Sequence, residues 1–151
     1  MTRSLLVAAL VSFTSCPLMV NALEVAGERG PQAGLRTYRQ NFKDMVLATC
    51  VAEAYRDEPR TSADVGSSIS ALRDWTYYDL ESGPDAIGNL VNDYLKKDYS
   101  NPLVEAEIKG VKFSFLKCMD LYHGNDLEEV ASRLVIDPEQ TYRSKRNKEE
   151  R

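Results

Sequence analysis

The sequence predicts an all-α protein, a compact bundle of about five helices carrying one disulfide. Three observations point there. Apolar residues recur at helical spacing along most of the chain, and strand-type alternation is nearly absent. Pro59, Pro84, Gly124 and Pro138 fall where those periodic stretches start or stop. Cys50 and Cys118 remain as an even pair once an N-terminal leader is set aside. The 151 residues are 43% hydrophobic and 28% charged, with a mean hydropathy of −0.39, enough for one modest core.

The elements follow in order. Residues 1–22 read as a secretory signal: Arg3, then the apolar "SLLVAALVSF", then Val20-Asn21-Ala22, with cleavage expected before Leu23. A lipoprotein anchored at Cys16 is the weaker alternative, because Phe13 and Pro17 flank it poorly. Residues 23–37 are rich in Gly and polar side chains and read as a flexible lead-in. The helical domain spans 38–142. Its first helix is expected over 38–57, with Tyr38, Phe42, Met45, Val46, Thr49 and Ala52 on one stripe. The second is expected from an N-cap at Thr61 or Ser62 to Leu80, with Val65, Ile69, Leu72, Thr76 and Leu80 inward.

Pro84 and Asp85 open a third helix with Ile87, Leu90, Val91, Tyr94 and Leu95 at helical spacing. Residues 98–110 form a connection, with a short helical turn allowed near Asn101-Pro102. A fourth helix over 111–123 carries Val111, Phe115, Cys118, Met119 and Tyr122, and Gly124 suits a left-handed cap. A fifth begins at Asn125, capped by Asn125 with Glu128, and turns Leu127, Val130, Ala131 and Leu134 inward before Pro138. The basic tail 143–151 reads as a solvated, disordered end.

Charge narrows the partners. Losing Arg3 with the leader leaves 18 basic and 23 acidic residues, a net of −5. The tail holds five basic and two acidic residues, so the body carries −8. An acidic exported body disfavours nucleic acid and anionic lipid and favours a basic partner. No long apolar span follows residue 23, so no membrane helix is expected in the mature chain.

The stretch "FLKCMDLYHG" (115–124) places Cys118, Asp120 and the lone His123 close together, the residue types of a cysteine hydrolase. Each helical residue turns about 100°. Asp120 and His123 can therefore meet, while Cys118 points away from both, and a nucleophile needs its base within hydrogen-bond reach. Cys118 is better read as a core residue facing Cys50. In an oxidising compartment the two form a disulfide candidate, the alternative being two buried free thiols. One His gives a poor zinc set, and no phosphate loop or nucleophile elbow is present. Paired carboxylates such as Glu105 with Glu107 could serve a glycosidase but more often form a solvated face. No cofactor and no metal is expected. In "DWTYYDL" (74–80), Trp75 reads as buried within the domain. Tyr77 and Tyr78 read either as buried or as a dimer or partner interface.

Five stretches, "LATCVAEAY" (47–55), "WTYYDLE" (75–81), "YLKKDYSNPLVE" (94–105), "GVKFSFLKCMDLYHG" (110–124) and "VIDPEQTYR" (135–143), together resemble the immunity proteins of type VI secretion amidase effectors. The resemblance spans most of the mature chain, in order, and includes both cysteines. It implies a periplasmic helical protein, typically a homodimer. Such a protein would inhibit a peptidoglycan amidase sterically, placing a loop in the enzyme's Cys-His groove and doing no chemistry itself. For that loop the first candidates are Asp98, Tyr99, Ser100, Asn101, Pro102, Leu103 and Glu105. The competing reading is that Pro102 and Leu103 merely plug their own bundle. The second candidate is the acidic turn at Glu81, Ser82 and the residues to Asp85. Rival functions are a periplasmic hydrolase built on carboxylates and an envelope adaptor.

Overall fold

In the computed structural model of the protein, residues 30–151 are described. The leader, its cleavage point, Cys16 and residues 23–29 lie outside them. From Pro31 the chain forms one compact unit. A 3-10 turn, Gln32–Leu35, leads to α1 (Tyr38–Ala54), α2 (Pro59–Asp74) and α3 (Gly83–Leu95). A single turn α4 (Pro102–Glu105) is followed by α5 (Ser114–His123), α6 (Asn125–Leu134) and α7 (Tyr142–Glu149). Among the described residues there is no extended strand. Two isolated antiparallel bridges tie Thr37 to Thr141 and Tyr78 to Val135.

Helix α1 is the centre. Tyr38, Phe42, Met45, Val46 and Cys50 recur every three or four residues, so they share one face, and all are buried. Burying each large apolar side chain contributes about 1.5–3 kcal/mol. That face meets α3, α5 and α6, and α2 packs alongside. The Thr37 hydroxyl caps the N-terminus by accepting from the Gln40 amide at 3.2 Å. The helix stops at Ala54, three residues before the expected end, and Glu58 is extended ahead of Pro59.

Helix α2 starts earlier than expected. Pro59 occupies the first turn, where its missing N–H costs nothing, and neither Thr61 nor Ser62 is the cap. No α2 side chain is fully buried; Val65, Ile69 and Leu72 are half-buried at the edge of the core. The helix also ends earlier, at Asp74, and Leu80 is exposed. Backbone bonds to a distant segment overrule its local pattern. The Asp79 amide donates to the Leu134 carbonyl at 3.0 Å, and the Ile136 amide donates to the Tyr77 carbonyl at 2.9 Å. Trp75, expected in the core, is half-buried.

The described part of the lead-in is ordered. Ala33 is buried, and the Tyr38 amide donates to the Gln140 carbonyl at 2.8 Å. Asn41, fully buried on α1, donates to the carbonyls of Ala33 (2.8 Å) and Trp75 (2.9 Å) and accepts from Arg36 Nε at 3.2 Å. One side chain thus ties the lead-in to the break after α2.

Helix α3 agrees with its predicted stripe: Ile87, Val91 and Tyr94 are buried, and Leu90 and Leu95 pack beside them. It begins at Gly83, where a Cβ would sit 2.7 Å from the Tyr78 ring. Helix α5 is rotated from its expected stripe. It starts at Ser114 because Phe113 is left-handed (φ 51°), so Val111 falls outside the helical register. Lys117, Cys118 and Leu121 face inward, and Phe115 is exposed. Gly124 is extended and not left-handed (φ −77°); it serves close approach, since a Cβ there would lie 2.5 Å from the Tyr94 hydroxyl. It also stands as the N-cap residue of α6, so the expected Asn125–Glu128 cap does not form. Leu127, Ala131 and Leu134 are buried as predicted.

Cys50 on α1 and Cys118 on α5 form a disulfide with Cα atoms 5.6 Å apart, both fully buried. The tail expected to be disordered contains helix α7. Its start is a reciprocal capping box: the Ser144 amide donates to Thr141 Oγ1 at 3.0 Å, and the Thr141 amide to Ser144 Oγ at 3.2 Å.

Candidate partner-binding surface

The connection from α3 to α5 is the most exposed apolar segment of the described protein. It begins at Lys96 and closes at Gly110 and Phe113, both with positive φ (76° and 51°). Leu103 is 82% exposed and Ile108 61% exposed, and Phe115 and Leu116 are open on the first turn of α5. Leu103 is the most exposed of the large hydrophobic side chains among the described residues. The self-plugging reading of Pro102 and Leu103 fails, since both point to solvent.

The backbone under those side chains is held by short-range chemistry. Asp98 Oδ1 accepts from the Ser100 amide at 2.9 Å, and Asn101 Oδ1 accepts from the Leu103 amide at 3.1 Å. The first bond and the Ser100 side chain hold the Asp98 carboxyl below its usual pKa. Asn101 caps α4, Pro102 fills its first turn, and Glu105 is its last residue. Tyr99 is half-buried and its hydroxyl donates to Asp120 Oδ2 at 2.6 Å, which raises the phenol's pKa. Asp98, Tyr99, Ser100 and Asn101 line a shallow hollow with Phe113 and Leu116.

The second candidate turn is built differently. Asp79 Oδ1 accepts from the amides of Glu81 (2.8 Å) and Ser82 (3.2 Å), and Oδ2 accepts from the Ser82 hydroxyl at 2.5 Å. The Ser82 bond, then the two amides, lower the Asp79 pKa. Glu81 and Ser82 are exposed there, with Leu80 beside them. This turn precedes α3 and the longer loop follows it. The 13 residues of α3 at 1.5 Å each therefore separate the two candidates by about 20 Å.

The two tyrosines part company. Tyr78 is 6% exposed, edge-on to Phe42 at 5.4 Å between ring centroids, so it belongs to the core and cannot meet a partner. Burial raises its pKa. Tyr77 is 46% exposed, edge-on to Tyr38 and under the Lys145 ammonium at 4.6 Å.

The Cys-Asp-His stretch is not a reaction centre. The Cys118 sulfur is committed to Cys50, Asp120 accepts from Tyr99, and His123 lies exposed, edge-on to Tyr122. Among the described residues, no group of three or more His, Cys, Asp or Glu side chains is placed to hold a metal. The sequence reading missed Lys117, Ile108 and Leu116. The signal for the first was a lysine next to Cys118 and four residues before Leu121, on the buried side of α5.

A small helical body, cross-linked through its core and offering a braced apolar loop, is built to bind another macromolecule. The sequence model of Tai4, the type VI secretion system (T6SS) amidase immunity protein, matches residues 40–131, and the chain belongs to that family. The match runs from α1 into α6 and takes in both cysteines and the α3–α5 loop. Two solved structures share the fold. One chain belongs to a study of new type VI-secreted toxins and self-resistance proteins in Serratia marcescens. It is 24% identical, has a TM-score of 0.65, and the alignment covers 76% of this chain and 90% of that one. Another comes from the Tae4/Tai4 effector–immunity system of Salmonella typhimurium, in its selenomethionine variant. It is 20% identical, has a TM-score of 0.59, and the alignment covers 70% and 96%. Comparison with curated proteins finds no significant match.

Proposed function

We propose that this protein resides in the periplasm and inhibits a T6SS peptidoglycan amidase by occluding its Cys-His groove with the α3–α5 loop, without performing a reaction itself. The observation that carries the choice of loop is Leu103: it is 82% exposed on a backbone already fixed by Asn101 and Asp98. A loop ordered before contact loses little conformational entropy on insertion. A side chain desolvated in a pocket at the centre of an interface, ringed by contacts that exclude water, carries much of the binding energy, and Leu103 is placed to be that side chain. The acidic body speeds encounter with a basic enzyme. The homodimer implied by the family resemblance would use the exposed Tyr77 ring and not Tyr78.

The test uses the purified protein and its cognate amidase on isolated peptidoglycan. The protein alone should release no peptide, and it should silence the amidase at near-equal molar ratio. Leu103→Asp should raise the inhibition constant by about 30-fold, the effect of a single hot-spot residue. Ser82→Arg should change it little, since that turn lies at the far end of α3. Lysis by the protein alone would establish the hydrolase reading; neither lysis nor inhibition would leave the adaptor. Full inhibition by Leu103→Asp with loss in Ser82→Arg would move the groove-filling role to the other turn.

A further inference from the structure

Helix α3 ends at Leu95 with no basic residue in its own last turn, although the last carbonyls of a helix need donors and favour positive charge. The donor comes from another helix. Lys117, on α5, is only 7% exposed, and its Nζ donates to the Leu95 carbonyl at 2.9 Å. The same ammonium lies 5.6 Å from the centroid of the Tyr99 ring, within cation–π range. Three residues further along α5, on the same face, Asp120 accepts from the Tyr99 hydroxyl at 2.6 Å. One face of α5 therefore holds the loop at its root, Leu95, and at Tyr99, two residues before Asn101. The loop's return, through left-handed Phe113, runs straight into the same helix.

We infer that Lys117 positions the inhibitory loop, acting with Asp120 as a two-point brace that keeps Asn101–Leu103 in its binding conformation before the amidase arrives. This inference rests on the proposed function for its consequence but not for its geometry. A loop competent only part of the time binds in proportion to that fraction, so loss of the brace should slow association and leave dissociation alone. A residue that only stabilised the fold would open α2 along with the loop, so protection of the two segments separates the roles.

Two measurements on the full mature protein test it. The first is limited trypsin digestion without any partner. Lys96, Lys97, Lys109 and Lys112 are exposed in the loop, and Arg60 and Arg73 are exposed on α2. In Lys117→Met, cleavage within 96–112 should rise about tenfold while cleavage in α2 keeps its wild-type rate. Lys117→Arg, which retains a donor, should restore protection. Wild-type loop cleavage in Lys117→Met overturns the inference. Should that variant unfold, Tyr99→Phe removes only the second grip, and unchanged loop cleavage there overturns it equally. The second measurement is binding to the cognate amidase, where Lys117→Met should associate about tenfold more slowly with dissociation unchanged. A faster dissociation with unchanged association overturns the positioning role. A loosened loop with unaltered inhibition leaves the brace standing and removes the loop from the groove, so the two readings fail separately.

Discussion

Opening the Cys50–Cys118 bridge should lower the melting temperature by about 15 °C. The two cysteines are 68 residues apart and join α1, the centre of the core, to α5. Closing a loop of that length restricts the unfolded chain by about 4 kcal/mol in chain-entropy arithmetic. A folded body of this size shifts by about 4 °C per kcal/mol. Against a total stability of about 5–15 kcal/mol, the bridge is a large share. Because both sulfurs are fully buried, reduction must be done in denaturant, followed by refolding under reductant. The assay is a thermal melt by circular dichroism of oxidised, reduced and Cys50→Ala/Cys118→Ala protein. Cys50→Ser should fall at least as far, since it also buries a hydroxyl. A reduced protein that melts with the oxidised one would refute the cross-link's role in stability.

Two further outcomes follow from the interior. Asn41→Leu should cost about 2–3 kcal/mol in urea unfolding, because the Ala33 and Trp75 carbonyls lose their shared donor; amide exchange near Ala33 should rise at the same time, and unchanged exchange would refute the tie. Burial, then the hydrogen bond to Asp126, pushes the Tyr94 hydroxyl up to about 12 from 10.0. A raised pKa favours the neutral form, so this contribution is complete below pH 10 and is lost as pH climbs through about 12. Tyr94→Phe should flatten the fall in stability across that window, measured by urea unfolding at stepped pH. A slope equal to wild type would contradict it.

Much of the bundle was legible because helical spacing and core burial coincide where a helix is packed on one side only. The stripes of α3 and α6 are of that kind, and on the central helix α1 the most buried residues still fall on one stripe. The largest misreading has its cause in contacts distant along the chain. The run from Trp75 to Leu80 has helix-like apolar spacing but pairs instead with Leu134–Ile136, 50 or more residues away. Lys117 went unremarked because its role is fixed by a carbonyl on another helix. The tail looked disordered by composition, yet Thr141 and Ser144 carry a capping box whose sequence form, with Ser in place of Glu or Gln, is easy to overlook. At the candidate loop, the Asn101-Pro102 turn was readable, whereas the exposure of Leu103 and Ile108 was not, because apolar residues in a connection follow no period that would give their direction.

The rod of α3 keeps two differently fastened ends apart, one gripped by a single aspartate and the other by a neighbouring helix. Changes farther apart than about 10 Å, with no shared partner, combine additively. The surface beyond Leu95 can therefore be rewritten while the turn at Glu81 and Ser82 keeps its form, and if that surface is the one that meets the amidase, as proposed, exchange of one segment would retarget the molecule.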